Sequence, residues 1–196
     1  MTALVVAKFG GTSVADFDAM NRSADVVLSD ANVRVVVLSA SAGVTNLLVA
    51  LAEGLEPAER QAKLEAIRAI QYAVLERLAN PAVIRDEIER LLENLGTLAE
   101  AASLATSTAL TDELVSHGEL MSTLLFVEIL RERHVQAQWF DVRKVMRTSD
   151  RFGRAEPDVT ALAELATQQL APRLDEGLVI TQGFIGSEAK GRTTTL

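Results

Sequence analysis

The sequence predicts an α/β protein built on a mainly parallel, doubly wound sheet, and three observations carry that prediction. Three short runs, Ala3–Phe9, Val33–Ser39 and Gly177–Gly183, are β-branched and apolar nearly throughout. Strict alternation would mark a half-solvated sheet, whereas near-continuous apolar runs mark parallel strands covered on both faces. Longer stretches of helical spacing separate these runs, and strand–helix–strand alternation implies right-handed crossovers within one sheet.

The elements follow in order. The first strand runs into Lys8 and the pair Gly10-Gly11, and helical spacing resumes over 14–28. The second strand opens into the small residues of Ser39–Asn46, followed by a helix over 47–55. From Pro57 to Ala105 the helical pattern continues without a strand, broken only near Asn80-Pro81. Leu64, Ile67, Tyr72, Val74, Leu75 and Leu78 form one apolar face, and Ile84, Ile88, Leu91, Leu95 and Leu98 another. A helical hairpin over about residues 57–105, packed beside the sheet, is therefore expected. A further helix is predicted over 111–133, a weaker strand over 136–140 and a last helix over 158–170. Pro157 and Asp158 suit its first turn and Gly177 its stop. Residues 178–185 are expected to form an exposed, adhesive edge strand.

Composition bounds the function classes. The chain has 196 residues, 48% hydrophobic and 23% charged, which is globular composition. A chain of this length buries roughly 70% of its unfolded surface, enough for one core. With 27 acidic against 19 basic side chains and a net charge of −8, neither nucleic acid nor an anionic membrane is the expected partner. The absence of cysteine removes disulfides, thiolate metal sites and thiol nucleophiles. Met1–Val6 lacks a basic lead-in, and no run reaches the roughly 18 apolar residues of a membrane span, so a cytoplasmic protein is expected.

Four segments carry candidate chemistry. In Lys8-Phe-Gly-Gly-Thr-Ser13 a buried strand ends at a lysine, two glycines follow, and Thr12 or Ser13 is placed to cap a helix. Glycines let backbone N–H groups approach an anion, a helix N-terminus adds partial positive charge, and the lysine adds a full one. A tight turn with an exposed lysine is the competing reading. In Ser39–Asn46 small hydroxyl residues follow a second strand, with Thr45 or Asn46 as the cap. Gln182–Gly186 follows a third. Three loops at strand carboxyl ends define the edge where open α/β sheets bind ligands. Glu119 shares a helical stripe with Val115, Ser122 and Phe126, with no intrahelical cation to explain it. A carboxylate held on that face needs a partner such as a ligand ammonium; a partly exposed glutamate is the alternative. His117 and His134 read as surface or packing residues. The basic cluster Arg143, Lys144, Arg147, Arg151 and Arg154, opposed by Asp150, reads as a solvated loop.

Lys8–Ser13, Ser39–Asn46, Glu113-Leu-Val-Ser-His-Gly-Glu119 and Gln182–Gly186 together resemble the aspartate kinases, closest to their lysine-sensitive form, and the similarity runs the length of the chain. The resemblance implies the amino-acid-kinase fold, an α/β/α sandwich. It implies ATP-dependent phosphorylation of L-aspartate to 4-phospho-L-aspartate with Mg²⁺, the first step towards lysine, threonine and methionine. By motif, Lys8 is the catalytic cation, and Lys8, Gly10, Gly11 and Ser39 bind the ATP phosphates. Thr45 and Glu119 hold aspartate, with Glu119 on its α-ammonium, and no residue of this chain is assigned as a metal ligand. The family continues beyond Leu196 with an arginine- and aspartate-bearing motif, the remaining kinase strands and ACT regulatory domains. Residues 1–196 are thus expected to be the N-terminal part of a truncated kinase domain, inactive alone, from an enzyme that is a homo-oligomer at full length. The alternative is a non-catalytic binding or assembly module derived from the kinase fold. A related kinase acting on glutamate or UMP is disfavoured by the Ser-His-Gly-Glu segment.

Overall fold

A computed structural model describes residues 3–196. Four strands, β1 (Val5–Phe9), β2 (Val33–Leu38), β3 (Ala137–Phe140) and β4 (Leu178–Gln182), form one parallel sheet in the order β1-β2-β4-β3. The predicted runs at 3–9, 33–39, 136–140 and 177–183 are all strands. The interior pair explains the apolar runs, since every residue of β4 is buried and no residue of β2 is exposed. The edges are β1 and β3, so the expectation of an edge strand at 178–185 is corrected. Strand order depends on where the crossovers return, which hydropathy does not encode. The register pairs Phe9 with Leu38 and Leu38 with Gln182, so the three carboxyl ends finish flush.

The helices are α1 (Phe17–Leu28), α2 (Val44–Ala52), α3 (Pro57–Leu75), α4 (Ala82–Leu104), α5 (Thr108–Glu132) and α6 (Val159–Leu165), the last continuing as a π-turn over Ala166–Leu170. Helix α5 is buried over most of its length and packs on β2, β3 and β4. An apolar cavity lies between the sheet, at Val6, Val35, Val37 and Thr181, and the α6 segment with its continuation, at Leu162, Leu170 and Leu174. The predicted hairpin exists as α3 and α4, joined across Asn80-Pro81, but it rests chiefly on α2 and α5 and not beside the sheet. Its apolar faces bury Ile67, Val74 and Leu75 from one helix and Ile84, Ile88, Leu91 and Leu95 from the other. Two short strands escaped the periodicity reading, β5 (Ile185–Ser187) and β6 (Thr193–Thr195), which pair antiparallel. Three residues are too few for a period-two signal.

Candidate active site

Each of the three loops leaves the sheet at its carboxyl edge. After β1, Gly10 precedes a short 3₁₀ helix over Gly11–Val14, and α1 is capped by Asp16, whose Oδ1 accepts from the Ala19 N–H at 2.8 Å. The predicted caps Thr12 and Ser13 are thereby corrected: the extra 3₁₀ turn moves the helix start past them. After β2, the chain turns through Gly43 at φ 86°, the left-handed region that glycine tolerates, and α2 begins at Val44. Gly43 is the N-cap and makes no side-chain capping bond, so Thr45 and Asn46 lie inside the helix.

Backbone bonds lock these loops together. Ser39 N–H donates to Phe9 O at 3.2 Å, Ala42 N–H to Gly11 O at 3.1 Å, and Gly183 N–H to Leu38 O at 2.9 Å. A Cβ on Gly11 would stand 3.0 Å from Ala40 O, so the glycine is what allows the first two loops to touch. The Lys8 stem passes Gly183, where a Cβ would come within 3.6 Å of Lys8 Cε. The N–H groups at the start of the 3₁₀ turn belong to a helix end, where donors lack intrahelical acceptors. Lys8, Gly10, Gly11 and Ser39 thus share one edge.

Glu119 reaches the same edge from α5. Its Oε1 accepts from the Ala40 N–H at 3.2 Å, while Oε2 is buried without a hydrogen-bond partner. Only 2% of the residue is exposed, so the reading of a partly exposed glutamate is corrected. Burial raises its carboxyl from an ordinary 4.5 to about 7, against the opposing pull of the Ala40 N–H and the positive charge of Lys8. Close packing brings the helix in: a Cβ on Gly118 would lie 2.7 Å from Ala40 Cβ and 3.3 Å from Leu48 Cδ1. Thr45, half-buried on the first turn of α2, stands on the helix that Gly118 admits.

Other residues support the site. Ser122 Oγ donates to Ser39 O at 2.7 Å, tying α5 to the end of β2. Asp112, two turns before Glu119, accepts from Gly153 N–H and Thr195 N–H through Oδ2 and from Thr195 Oγ1 through Oδ1, all within 2.9 Å. The spacing of 112, 115, 119 and 122 was the available signal for Asp112, which sequence reading passed over. His117 is a packing residue, joined to Asn94 and to Glu113 O, and burial pulls its imidazole below the ordinary value. His134 is exposed. The basic cluster is not wholly solvated: Arg143 is held by Asp141 and Thr193, and Arg147 by Ser187. No group of three or more His, Asp or Glu among the described residues is placed to hold a metal ion.

The chain belongs to the amino acid kinase family, whose model matches residues 3–195. Among individual proteins, it is 84% identical over all 196 residues to lysine-sensitive aspartokinase 3 of Escherichia coli K12, of which it spans 44%. A crystal structure of E. coli aspartokinase III in complex with aspartate and ADP superposes with a TM-score of 0.98, covering 98% of this chain and 43% of that one. Clostridium acetobutylicum aspartate kinase, at 20% identity and a TM-score of 0.76 over 98% of this chain and 42% of that one, shares the fold.

Proposed function

We propose that these residues form the phosphate and amino-acid ends of an aspartate kinase site, which transfers the γ-phosphoryl group of ATP to the β-carboxylate of L-aspartate. A carboxylate oxygen attacks the γ-phosphorus as the bond to the ADP oxygen breaks, giving 4-phospho-L-aspartate and ADP. Such transfer needs positioning and charge neutralisation and no protein nucleophile. Lys8 and the N–H groups of Gly10 and Gly11 offset the charge on the phosphates, with Ser39 lining the same edge. Thr45 and Glu119 hold the amino acid. Mg²⁺ entering with ATP would offset part of the phosphate charge beside Lys8.

The observation that carries this reading is the unpartnered Oε2 of Glu119. A buried carboxylate without a second partner is costly, and a substrate α-ammonium supplies the missing charge and donor. The aspartate and ADP bound by the 84%-identical E. coli relative support the same substrates. A cytoplasmic enzyme at the head of lysine, threonine and methionine synthesis, oligomeric at natural length, is consistent with this chemistry. The test is trapping of the acyl phosphate by hydroxylamine with the natural-length protein. Hydroxamate that requires both ATP and aspartate is expected; no hydroxamate, or formation equally fast with glutamate, overturns the reading.

A further inference from the structure

We infer that Thr123, one turn beyond Glu119 on α5, is a positioning residue that sets the orientation of the Glu119 carboxylate through a single buried hydroxyl. This inference rests on the aspartate kinase reading for its kinetic expectation.

The Thr123 side chain is wholly buried, and its hydroxyl makes every bond available to it. As a donor it is shared between Glu119 O at 2.6 Å and Leu120 O at 3.1 Å. As an acceptor it takes the Trp139 indole N–H at 2.8 Å and the Gln182 side-chain amide at 3.1 Å. The orientation of that amide is determined by its other end, because Gln182 Oε1 accepts from the Val142 N–H at 2.9 Å. One oxygen atom therefore joins α5 to β3 through Trp139 and to β4 through Gln182. Gln182 is also the last residue of β4, immediately before the Gly183 that faces Lys8.

The physical consequence is rotational. Side chains of a helix lie roughly 5–6 Å from its axis, so turning α5 by about 10° moves the Glu119 carboxylate by about 1 Å. That displacement is enough to lengthen the 3.2 Å bond from Ala40 beyond useful geometry. The close approach of Gly118 to Ala40 and Leu48 resists such a turn, and directional bonds to two strands fix the remaining angle. Ser122 supplies a third tie, to β2, and it sits on the same turn. Glu119 is thus aimed by bonds made three and four residues further on, from the next turn of the same helix face.

The test compares Thr123→Val, which keeps shape and removes the hydroxyl, with Thr123→Ser, which keeps the hydroxyl, in the natural-length protein. The valine variant is expected to raise the KM for aspartate by about tenfold or more while the KM for ATP changes less than about twofold. The indole ¹H–¹⁵N resonance of Trp139 moves upfield as it loses its acceptor, and the titration midpoint of the Glu119 carboxyl shifts. The serine variant restores all three. An unchanged aspartate KM in the valine variant, a parallel rise in both KM values, or failure of serine to rescue overturns the inference. Should the wild-type protein form no acyl phosphate, the aspartate kinase reading fails by itself. The Thr123 inference then stands or falls on whether the Glu119 midpoint shifts with valine and returns with serine. If the valine variant does not fold, the serine variant alone decides: wild-type Trp139 resonance and wild-type aspartate KM support the inference, and their loss overturns it.

Discussion

Ala40 and Glu119 lie 79 positions apart, and the 3.2 Å bond from the Ala40 N–H to Glu119 Oε1 holds the loop after β2 against the middle of α5. It satisfies one carboxylate oxygen and leaves the other buried and free. The Glu119 carboxyl therefore carries a proton about half the time near pH 7, and its charge state becomes the variable that ligand binding adjusts.

Aspartate binding should strengthen as pH rises through about 7, because the ammonium pairs only with the deprotonated carboxylate. Calorimetry at pH 6 and pH 8 is expected to show affinity several-fold higher at pH 8. It should also show release of about half a proton per aspartate near pH 7, approaching one at pH 6, read from the buffer dependence of the enthalpy. No proton release would remove Glu119 from the amino-acid site.

Stability of the ligand-free protein should move the opposite way. The folded carboxyl sits above its ordinary 4.5, so the folded state holds more protons than the unfolded state between about 4.5 and 7. Stability is then fully present below 4.5 and is lost as pH rises through 7. Glu119→Gln is expected to stabilise the ligand-free protein at pH 8 by up to about 3 kcal/mol and to have little effect at pH 4.5. Denaturant midpoints at both values check this, and an equal effect at the two would contradict it. The same variant should weaken aspartate by about tenfold or more while leaving ATP nearly unchanged.

Gly118→Ala places two effects in competition. Alanine improves helix propensity by about 1 kcal/mol. Its methyl would overlap Ala40 Cβ at 2.7 Å and crowd Leu48 at 3.3 Å, and overpacking of this kind costs about 1–3 kcal/mol. Net destabilisation is expected, together with a weaker aspartate affinity as α5 moves off the Ala40 loop. A raised thermal midpoint would show that the contact relaxes freely.

Lys8→Ala should lower kcat by about 10²-fold or more if the lysine offsets charge on the transferring phosphoryl group. Steady-state turnover at saturating ATP separates this from a loss of nucleotide binding, which would raise KM and spare kcat.

Asp112→Ala leaves the N–H groups of Gly153 and Thr195 and the Thr195 hydroxyl without their acceptor. Unsatisfied buried donors cost about 1–3 kcal/mol each, so a loss of at least about 3 kcal/mol is expected. Hydrogen exchange should accelerate first at Gly153 and Thr195. A loss below about 1 kcal/mol would mean that water replaces the carboxylate.

Much of the frame was legible in the sequence. The four main strands, the break at Asn80-Pro81 and the three loops all declare themselves by hydropathy, proline and glycine. Glu119 was legible as an acidic residue on a stripe that offered it no cation. Helix starts were less so: Asp16 displaces Thr12 and Ser13, and Gly43 displaces Thr45 and Asn46, because capping depends on the angle at which each loop arrives. The interior position of β4 was missed because its neighbours β2 and β3 are joined to it only by hydrogen bonds between distant segments.

The sequence by itself determined the elements, the residues at the ends of β1, β2 and β4, and the amino acid kinase family to which they belong. Local periodicity and turn chemistry act within a few residues, and that is what a sequence displays directly. Tertiary structure decided which polar atoms meet. It joined Ala40 to Glu119, gave Thr123 its two acceptor bonds from β3 and β4, and buried Oε2 without a partner. Those outcomes depend on how α5 docks against the sheet, and docking sets the desolvation that moves the Glu119 carboxyl to about 7.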